Sequence, residues 1–490
     1  MDTNVENLNE FDHVSGENVL TMTFPQPVTL EKKTKRDSSS LPSQITQAKA
    51  NMAKYCLEKQ FKDFFTNDKQ MRQKNVRNRS MSIPKLNDRH IPDEEVPVKR
   101  LNRRTLKVEQ FEKLKIIGRG SFGEVWLVRD KEDQHIYAMK VLKKKELVEK
   151  NQILNTIVEK DFMVQNDNPW AIQLYYAFQD SKCLYFVMEF LPGGDLMTLL
   201  INRNILTETE TRFLIAETIL AVNCVHKQGF IHRDIKPDNL LLTKDGHVRL
   251  TDFGLSTKMD RYSDPIVQLI DEITDAFNES GTSGSPQSVI NRLYYQKINS
   301  SERHAQVCSA VGTTDYIAPE VLLKQPYGPS VDYWSIGAIM FEMIYGYAPF
   351  SSQTQRSTAS KIIHFKESLV FPPTPPVSTE AISLMRGLLT DAEHRLSFEE
   401  IKSHPFFSSV DWDNLINSTS PCIPTLESEL DTSHFDIFEP LPEEEDPRPK
   451  SPHDKEVEDL ANIAFMGFSY NKKASSLLQF CPITSNESRY

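Results

Sequence analysis

The sequence lacks most features of secreted, membrane-spanning and nucleic-acid-binding proteins. Its 490 residues include only six cysteines, which are scattered and form no C-x-x-C pair, so we expect neither disulfides nor a zinc site. No apolar run approaches the roughly 18 residues of a membrane span, and the acidic, polar first residues lack the order of a signal peptide. The net charge of −11 argues against general nucleic-acid binding. We therefore expect a protein of the cytosol or the nucleus with no transmembrane segment.

The N-terminal part of the chain divides by composition. Residues 1–44 are polar and show neither helical nor strand periodicity, which predicts a disordered tail. In residues 45–90 basic side chains outnumber acidic ones, and apolar side chains recur at roughly helical spacing. This pattern predicts a basic amphipathic helix, which could either pack on its own domain or dock an acidic partner.

The remaining residues predict two lobes, as the length of the chain also requires. Residues 111–190 contain short alternating apolar runs, which predict a small antiparallel sheet interrupted by one helix around residues 151–166. Helical patterns dominate residues 196–407, whereas residues 408–490 have mostly loop character. The predicted fold class is therefore α+β, with a small antiparallel β lobe followed by a large, mainly α lobe.

A glycine-rich pattern lies at the start of the small lobe. Gly118, Gly120 and Gly123 form G-x-G-x-x-G within GRGSFGEV. Glycines let the backbone approach phosphate oxygens, and free N–H groups bind their charge. In a dinucleotide-binding fold a helix would follow this pattern, but here the strand-like residues VWLV follow it. This favours a hairpin that lies over a nucleotide.

Lys140 lies within the apolar run YAMKVL, where an amine needs a structural reason. It could point outwards from an edge strand. It could instead bind the α- and β-phosphates of a nucleotide, held by a glutamate from the following helix. Glu159 is placed to be that glutamate. These two residues alone leave both alternatives open.

The stretch HRDIKPDN carries the most specific chemistry. Asp234 can orient a substrate hydroxyl and accept its proton, Lys236 can neutralise charge on a moving phosphoryl group, and Asn239 can bind Mg²⁺. Asp252, which opens the later DFG, can chelate Mg²⁺ between phosphates. Loose phosphoryl-transfer transition states need positioning and charge neutralisation, and this set supplies both.

Together with IAPE, DYWSIG and EHRL, these motifs make residues 111–407 resemble the eukaryotic protein kinase family. The lysine after HRD resembles the serine/threonine class, and MEFLPGGDL, GTTDYIAPE and DTSHFD resemble AGC kinases. Three features resemble the NDR/LATS branch: a long activation-segment insert at 258–308, the basic segment 45–90, and F-x-x-F-S-Y at 465–470 within an AGC-type tail, 408–490. Within that branch, the fungal mitotic-exit and septation kinases look most similar. The resemblance implies a bilobal serine/threonine protein kinase that uses ATP and Mg²⁺.

The resemblance also implies roles for individual residues. Asn239 and Asp252 would hold metal, and Asp195 and Asp238 would bind an arginine of the substrate, which predicts R-x-x-S/T sites. The implied catalytic residues are Asp234, Lys236, Lys140 and Glu159. The implied nucleotide-binding residues are Ile117, Gly118, Arg119, Gly120, Ser121, Phe122, Gly123, Glu124, Val125, Lys140, Glu189 and Leu191.

Regulation and location are implied in the same way. Ser309 in the activation segment and Ser469 in the hydrophobic motif would be phosphorylated, the latter by an upstream sterile-20-type kinase. The basic segment 45–90 would bind a Mob-family coactivator through its charge. The branch further implies work in mitotic exit and in cytokinesis or septation, at the spindle pole and the division site.

Two rival functions and two departures complete the interpretation. A pseudokinase scaffold remains an alternative, but pseudokinases usually lack one of the three residues that this chain keeps, Lys140, Asp234 and Asp252. A small-molecule kinase is disfavoured by the activation segment and the peptide-reading carboxylates.

Thr314 stands where the family usually has proline, and we expect little effect on the chemistry. Some relatives have a basic insert that is autoinhibitory. The insert of this chain is acidic on balance, so we do not infer autoinhibition from it.

Overall fold

A computed structural model of the chain describes residues 50–54, 106–258, 314–439 and 452–472. The predicted disordered tail, most of the basic segment and nearly all of the activation-segment insert lie outside these residues. Residues 50–54 of the basic segment are helical (α1), and the Met52 side chain is only 1% exposed within the main apolar core. This part of the basic segment therefore packs on the folded chain.

The strands of the described residues form one large antiparallel sheet and two small ones. The large sheet has the order β1-β2-β3-β5-β4-β10, and the pairs β6-β9 and β7-β8 belong to the large lobe. The strands are β1 (Phe111–Gly120), β2 (Gly123–Asp130), β3 (Ile136–Lys143), β4 (Leu174–Gln179), β5 (Cys183–Glu189), β6 (Phe230–Ile231), β7 (Leu240–Leu242), β8 (Val248–Leu250), β9 (Thr257–Lys258) and β10 (Tyr470–Asn471).

The described α-helices that follow α1 lie mainly in the large lobe, but the first two and the last of them lie on the small lobe. They are α2 (Lys144–Glu149), α3 (Ile153–Gln165), α4 (Leu196–Arg203), α5 (Glu208–Lys227), α6 (Pro319–Leu322), α7 (Ser330–Tyr345), α8 (Gln355–Ile363), α9 (Phe365–Ser368), α10 (Thr379–Leu388), α11 (Phe398–Lys402) and α12 (Pro452–Ala464). The predicted α+β class with two lobes is confirmed. None of the helices in the described ranges combines the length and apolar composition that crossing a bilayer requires.

Local sequence signals explain the two long helices of the large lobe. Helix α5 begins with a capping box in which Thr207 and Glu210 bond each other's backbone, and it ends with basic residues that suit the helix dipole. Helix α7 is buried along almost its whole length and stops at Gly346, whose φ of 81° suits glycine. Buried α7 therefore forms a fixed base on which the catalytic loop can be anchored.

The single helix expected around residues 151–166 is present as α3. A shorter helix that was not expected, α2, precedes it, and the two are separated at Asn151, which adopts a positive φ of 54° that asparagine tolerates and a helix does not. Residues 408–490 are not all loop, because α12 and β10 lie within them. The acidic composition of the tail outweighed the apolar period of α12, whose Val457, Leu460 and Ala461 share one buried face.

Candidate active site

The glycine-rich hairpin joins β1 to β2. Gly120 pairs with Gly123, and a side chain on Gly123 would place its Cβ 1.7 Å from the carbonyl oxygen of Val141. Only glycine therefore lets the hairpin lie this close to β3. At the tip, Lys150 Nζ donates to the carbonyl oxygen of Ser121 at 2.7 Å, which ties the turn to the end of α2. The tip therefore has a fixed contact with the small lobe.

The other predicted nucleotide-binding residues of the small lobe have mixed surroundings. Ile117 forms a small buried cluster with Leu127 and Ala138, against which Val125 packs. The same lysine that bonds the tip lies 5.1 Å from the Phe122 ring centroid. These apolar groups suit the faces of a planar base. Arg119 and Glu124 form an ion pair across the hairpin, with 3.0 Å between Nη2 and Oε1.

The segment between the lobes contains the two predicted adenine-binding residues. The Glu189 amide donates to the Gln173 carbonyl oxygen at 3.0 Å, and the Glu189 carboxylate accepts from the Gln173 amide at 2.9 Å. The Leu191 side chain is buried in the main core. Both side chains are thus occupied within the protein, so a ligand here would meet the backbone.

Lys140 bonds carboxylates from both lobes. Its Nζ lies 2.7 Å from Glu159 Oε1 on α3 and 3.2 Å from Asp252 Oδ1 in the large lobe. Burial lowers the pKa of Lys140, but the two carboxylates raise it more, so the amine stays protonated. Lys140 in turn holds the pKa of Asp252 below its ordinary value. Lys140 and Asp252 are therefore both ionised near neutral pH, whereas burial raises the pKa of Glu159.

Aromatic packing fixes the two carboxylates of this trio relative to each other. Asp252 has a positive φ of 58°, and the next residue, Phe253, is fully buried. The Phe253 ring lies 4.1 Å from Phe162 of α3 and 5.1 Å from His232, measured between ring centroids. The helix that carries Glu159 is therefore packed directly on the segment that carries Asp252.

The catalytic loop brings three further predicted residues together. Lys236 Nζ lies 2.9 Å from Asp234 Oδ2, and Asn239 Nδ2 donates to the same oxygen at 3.1 Å. Asn239 also donates to the Asp234 carbonyl oxygen at 2.8 Å. Although burial lowers the pKa of Lys236, the Asp234 charge raises it overall. An amine, a carboxylate and an amide thus meet within one hydrogen-bonded unit.

Helix α7 anchors the catalytic loop through Asp332. The fully buried carboxylate of Asp332 accepts from the backbone amides of His232 and Arg233 at 3.0 and 2.8 Å, and it also contacts His226 Nε2 at 2.8 Å. Arg233 has a positive φ of 70°, and its Nε donates to the Leu255 carbonyl oxygen at 2.7 Å. Several bonds therefore maintain a backbone conformation that is costly for a residue with a side chain.

A second group of carboxylates lies beside the catalytic loop. We call these the peptide-side carboxylates: Asp195, Asp238, Asp315, Glu342 and Asp436. The charges of Asp238 and Asp436 act on Asp195, and those of Asp315 and Asp238 act on Glu342. Among the described residues, none of the five forms an ion pair with lysine or arginine, and Asp315 Oδ1 is buried without a hydrogen-bond partner.

Burial and mutual repulsion act together on this group. Burial raises the pKa of Asp195, a hydrogen bond from the Thr198 amide lowers it, and the neighbouring carboxylates raise it again, with a net increase. Burial likewise raises the pKa of Glu342, despite the hydrogen bond from the Tyr316 hydroxyl. Asp195 and Asp238 were predicted from the sequence, but the other three carboxylates were not. The available signal for Glu342 was a carboxylate within the otherwise apolar stretch FEMIYG.

The hydrophobic motif packs on the small lobe. Phe465 and Phe468 are 1% and 2% exposed, and the Phe468 ring lies 5.3 Å from that of Phe186 on β5. Lys160, next to Glu159 on α3, lies 5.5 Å from the Phe468 ring. Ser469 is exposed, and β10 immediately after it pairs with β4. The motif thus contacts the helix that carries the lysine-binding glutamate.

Helix α12 extends this contact along α2. Lys145 Nζ lies 2.8 Å from Asp454 Oδ1, and Lys144 Nζ donates to Asn462 Oδ1 at 3.2 Å. Ser309, the other predicted phosphorylation site, lies outside the described residues. The structure therefore brings the residues predicted for catalysis, metal binding and peptide recognition into one region, and it describes only one of the two predicted phosphorylation sites.

Comparison with known protein families explains this arrangement. The protein kinase domain model matches residues 111–277 and 295–407, and the protein kinase C terminal domain model matches residues 426–470. The chain belongs to the protein kinase family. The two matches include both the cleft residues and the hydrophobic motif.

Individual relatives are similar over most of the chain. The serine/threonine-protein kinase tricornered of Drosophila pseudoobscura pseudoobscura is 41% identical over 91% of this chain and 94% of its own length. The serine/threonine-protein kinase CBK1 of Pneumocystis carinii is 43% identical over 76% of each chain, and that of Saccharomyces cerevisiae is 45% identical over 70% of this chain and 49% of its own. The predictions of a serine/threonine protein kinase and of the NDR-type branch are confirmed.

Proposed function

We propose that this kinase transfers the γ-phosphoryl group of Mg·ATP to serine or threonine hydroxyls that follow an arginine, R-x-x-S/T. The observation that carries the proposal is the contact of Lys140 with both Glu159 and Asp252. In this arrangement the lysine can bind the α- and β-phosphates while Asp252 lies beside them. A scaffold has no need of a protonated amine held between two lobes.

The donor atoms suit Mg²⁺. Asp252 supplies a carboxylate that is 48% exposed, and Asn239 donates through its nitrogen to Asp234, so its amide oxygen is the atom that can bind a cation. Oxygen ligands from one or two side chains, with the rest from phosphates and water, are typical of Mg²⁺. When bound there, Mg²⁺ would neutralise charge on the phosphate oxygens.

The catalytic loop supports the transfer step. Asp234 would orient the substrate hydroxyl and accept its proton, while Lys236, which is bonded to it, would compensate the negative charge of the moving phosphoryl group. The anchoring of this loop on Asp332 keeps these groups in position before the substrate arrives.

The peptide-side carboxylates support the preference for arginine. Asp195, Asp315 and Glu342 are partly buried, and carboxylates that are partly buried near one another without an ion pair become more favourable when a guanidinium binds. Asp195 is held by its bond to the Thr198 amide at 2.7 Å, so one carboxylate has a fixed orientation. A planar guanidinium can bond it with two parallel hydrogen bonds.

The regulatory part of the proposal concerns Ser309, Ser469 and the basic segment 45–90. Phosphate on Ser469 would strengthen packing of the hydrophobic motif against α3 and thereby the position of Glu159. An upstream sterile-20-type kinase would supply that phosphate, and a Mob-family coactivator would bind the basic segment. This regulation would direct the kinase to mitotic exit and septation, at the spindle pole and division site.

An ATP transfer assay on a library of peptides that vary around a fixed R-x-x-S/T motif tests the whole proposal. The full chain is assayed alone, with a Mob-type protein, with an upstream kinase, and with both. Strong transfer to R-x-x-S/T peptides only with both supports the activity and its regulation. Strong transfer from the bare chain would leave the activity and remove the regulation, whereas no transfer under any condition would favour the scaffold.

The substitution Ser469→Ala tests the tail separately. We expect lower kcat after treatment with the upstream kinase, with unchanged ATP binding, because Ser469 is exposed and makes no part of the cleft. The exposed Ser403→Ala, at the end of α11, serves as the control. Equal rates for the unmodified chain, Ser469→Ala and Ser403→Ala would show that Ser469 does not regulate the kinase.

A further inference from the structure

Lys150, the first residue after α2, contacts both residues at the tip of the glycine-rich hairpin. Its Nζ donates to the carbonyl oxygen of Ser121 at 2.7 Å and lies 5.1 Å from the centroid of the Phe122 ring. The same Nζ lies 3.3 Å from Glu146 Oε2, one turn earlier on α2. A carbonyl oxygen, an aromatic face and a carboxylate all suit an ammonium group. The amine is therefore directed to the tip and to its own helix.

Helix α2 is a fixed base for this side chain. Leu147 and Val148 are buried in the main apolar core. The Lys150 amide donates to the Glu146 carbonyl oxygen at 2.9 Å, and the Gln152 amide donates to the Leu147 carbonyl oxygen at 2.7 Å. Because the backbone around Lys150 is hydrogen-bonded to a buried helix, the lysine presents its amine from a defined place.

The tip also bonds the backbone of β3. The Lys143 amide donates to the Phe122 carbonyl oxygen at 3.0 Å, which holds the side of the tip that leads into β2. On the other side, the Ser121 carbonyl belongs to the same peptide group as the Phe122 N–H. In a trans peptide such as this one, the C=O and the N–H point in opposite directions. The bond from Lys150 therefore turns the Phe122 N–H away from α2.

We propose that Lys150 is a positioning residue that holds the tip of the glycine-rich hairpin, and with it the Phe122 N–H, for the terminal phosphate of ATP. Backbone N–H groups of glycine-rich turns bind phosphate oxygens. Gly120 and Gly123 on the two sides of the tip leave it free to move unless another group binds it. Lys150 supplies such a bond from a helix outside the hairpin. This inference deepens the proposed nucleotide site and rests on it.

The effect of Lys150 should depend on how many phosphates the nucleotide carries. Lys140 and the segment between the lobes would bind the adenine and the first two phosphates, which ADP and ATP share. A phosphate that the tip holds in place would be the third, which only ATP carries. Loss of the tip contact should therefore weaken the binding of ATP more than that of ADP, whereas a general loosening of the small lobe would weaken both.

Nucleotide binding and turnover of the full chain test the inference. We expect Lys150→Gln to weaken binding of a non-hydrolysable ATP analogue with Mg²⁺ about five-fold, the scale of one half-exposed bond to a charged group, and to leave ADP binding unchanged. The kcat/KM for ATP should fall at least as much. Lys150→Arg should restore both values, because a guanidinium can also donate to a carbonyl oxygen and lie over a ring. Equal weakening of both nucleotides, or no change in either, would overturn the role.

Lys143 provides a closely matched control. It pairs with the same glutamate, Glu146, at 3.5 Å compared with 3.3 Å for Lys150, and its side chain is 56% exposed compared with 50%. Lys143→Gln removes the same charge but keeps the backbone bond to Phe122, so nucleotide binding and kcat/KM should match those of the unmodified chain. If Lys143→Gln instead matches Lys150→Gln, the effect comes from the charge near α2 and the positioning role is wrong.

A parallel variant separates this inference from the proposed nucleotide site. Lys140→Ala should abolish transfer if the cleft binds the phosphates as proposed. Retained transfer in Lys140→Ala would refute the nucleotide site and, with it, the basis for a role of Lys150. Lost transfer in Lys140→Ala together with an unchanged preference for the ATP analogue over ADP in Lys150→Gln would refute only the positioning role.

Discussion

The two groups of carboxylates on either side of the catalytic loop differ in how their charge is balanced. In the cleft, Asp252 and Asp234 each lie within 3.2 Å of a lysine. Beside the loop, the five peptide-side carboxylates have no lysine or arginine partner within the described part of the chain, and Asp315 Oδ1 is buried without a hydrogen bond. Direct ion pairs balance the charge of the first group, whereas among the described residues the second group has only the more distant charge of Lys236, which acts on Asp238.

The pKa shifts of the two groups reflect this difference in charge balance. Lysine lowers the pKa of Asp252, so this carboxylate remains ionised and ready for a cation bound to phosphate. Burial raises the pKa values of Asp195 and Glu342, so their ionised forms are less favourable until a positive charge arrives. Under the proposed function, the first group would serve every substrate equally, and the second would distinguish between substrates.

Removing a carboxylate of the first group should have the largest effect. We expect Asp234→Ala to reduce kcat by about 10²- to 10⁴-fold for every peptide, because the substrate hydroxyl loses its proton acceptor. The melting temperature should change little, since Asp234 is partly exposed. Asp245→Ala, exposed in the turn between β7 and β8, is the matched control. Turnover near the wild-type rate in Asp234→Ala would overturn the mechanism.

The two groups also differ in how far the sequence alone predicted them. The cleft residues lie in short, fixed motifs, such as HRDIKPDN, so roles could be predicted for them without a structure. The peptide-side group is assembled from α4, the catalytic loop, the segment before α6, the end of α7 and the tail. Only tertiary packing brings these distant segments together, so Asp315, Glu342 and Asp436 could not be identified from spacing.

The tail shows the same limit. The F-x-x-F pattern at 465–470 was recognisable, but its helix was not, since acidic residues concealed the apolar period of α12. Arg119 Nη2 donates to the backbone carbonyl oxygen of Glu439 at 2.6 Å, a contact that no sequence pattern records. Local motifs therefore predicted the chemistry, while the contacts that position it depended on the fold.

Neutralising the second group should give a smaller and selective loss. We expect Asp195→Asn combined with Asp238→Asn to lower kcat/KM for R-x-x-S peptides about 10- to 100-fold, the loss of a charge-assisted bidentate contact. Asparagine can still accept the Thr198 amide and begin α4, so the fold is retained. A matched peptide with alanine in place of arginine should be phosphorylated at nearly the wild-type rate.

Equal losses on both peptides would contradict this separation of roles. They would indicate that Asp195 or Asp238 supports the catalytic loop itself rather than an arginine of the substrate. The charge of Asp238 acts on Lys236 as well as on Asp195, so this outcome has a defined physical route. The alanine peptide therefore distinguishes recognition from catalysis.

The smallest effect should be a pH dependence confined to arginine peptides. Because the pKa values of Asp195 and Glu342 are raised, these carboxylates take up protons at a higher pH than ordinary carboxylates as the pH falls. The charge that attracts arginine is then lost while Asp252, whose pKa is lowered, stays ionised. We expect the KM for the arginine peptide to rise, by less than about ten-fold, as the solution becomes mildly acidic. The KM for the alanine peptide should stay constant over the same range, and a parallel rise in both would place the titrating group in the cleft instead.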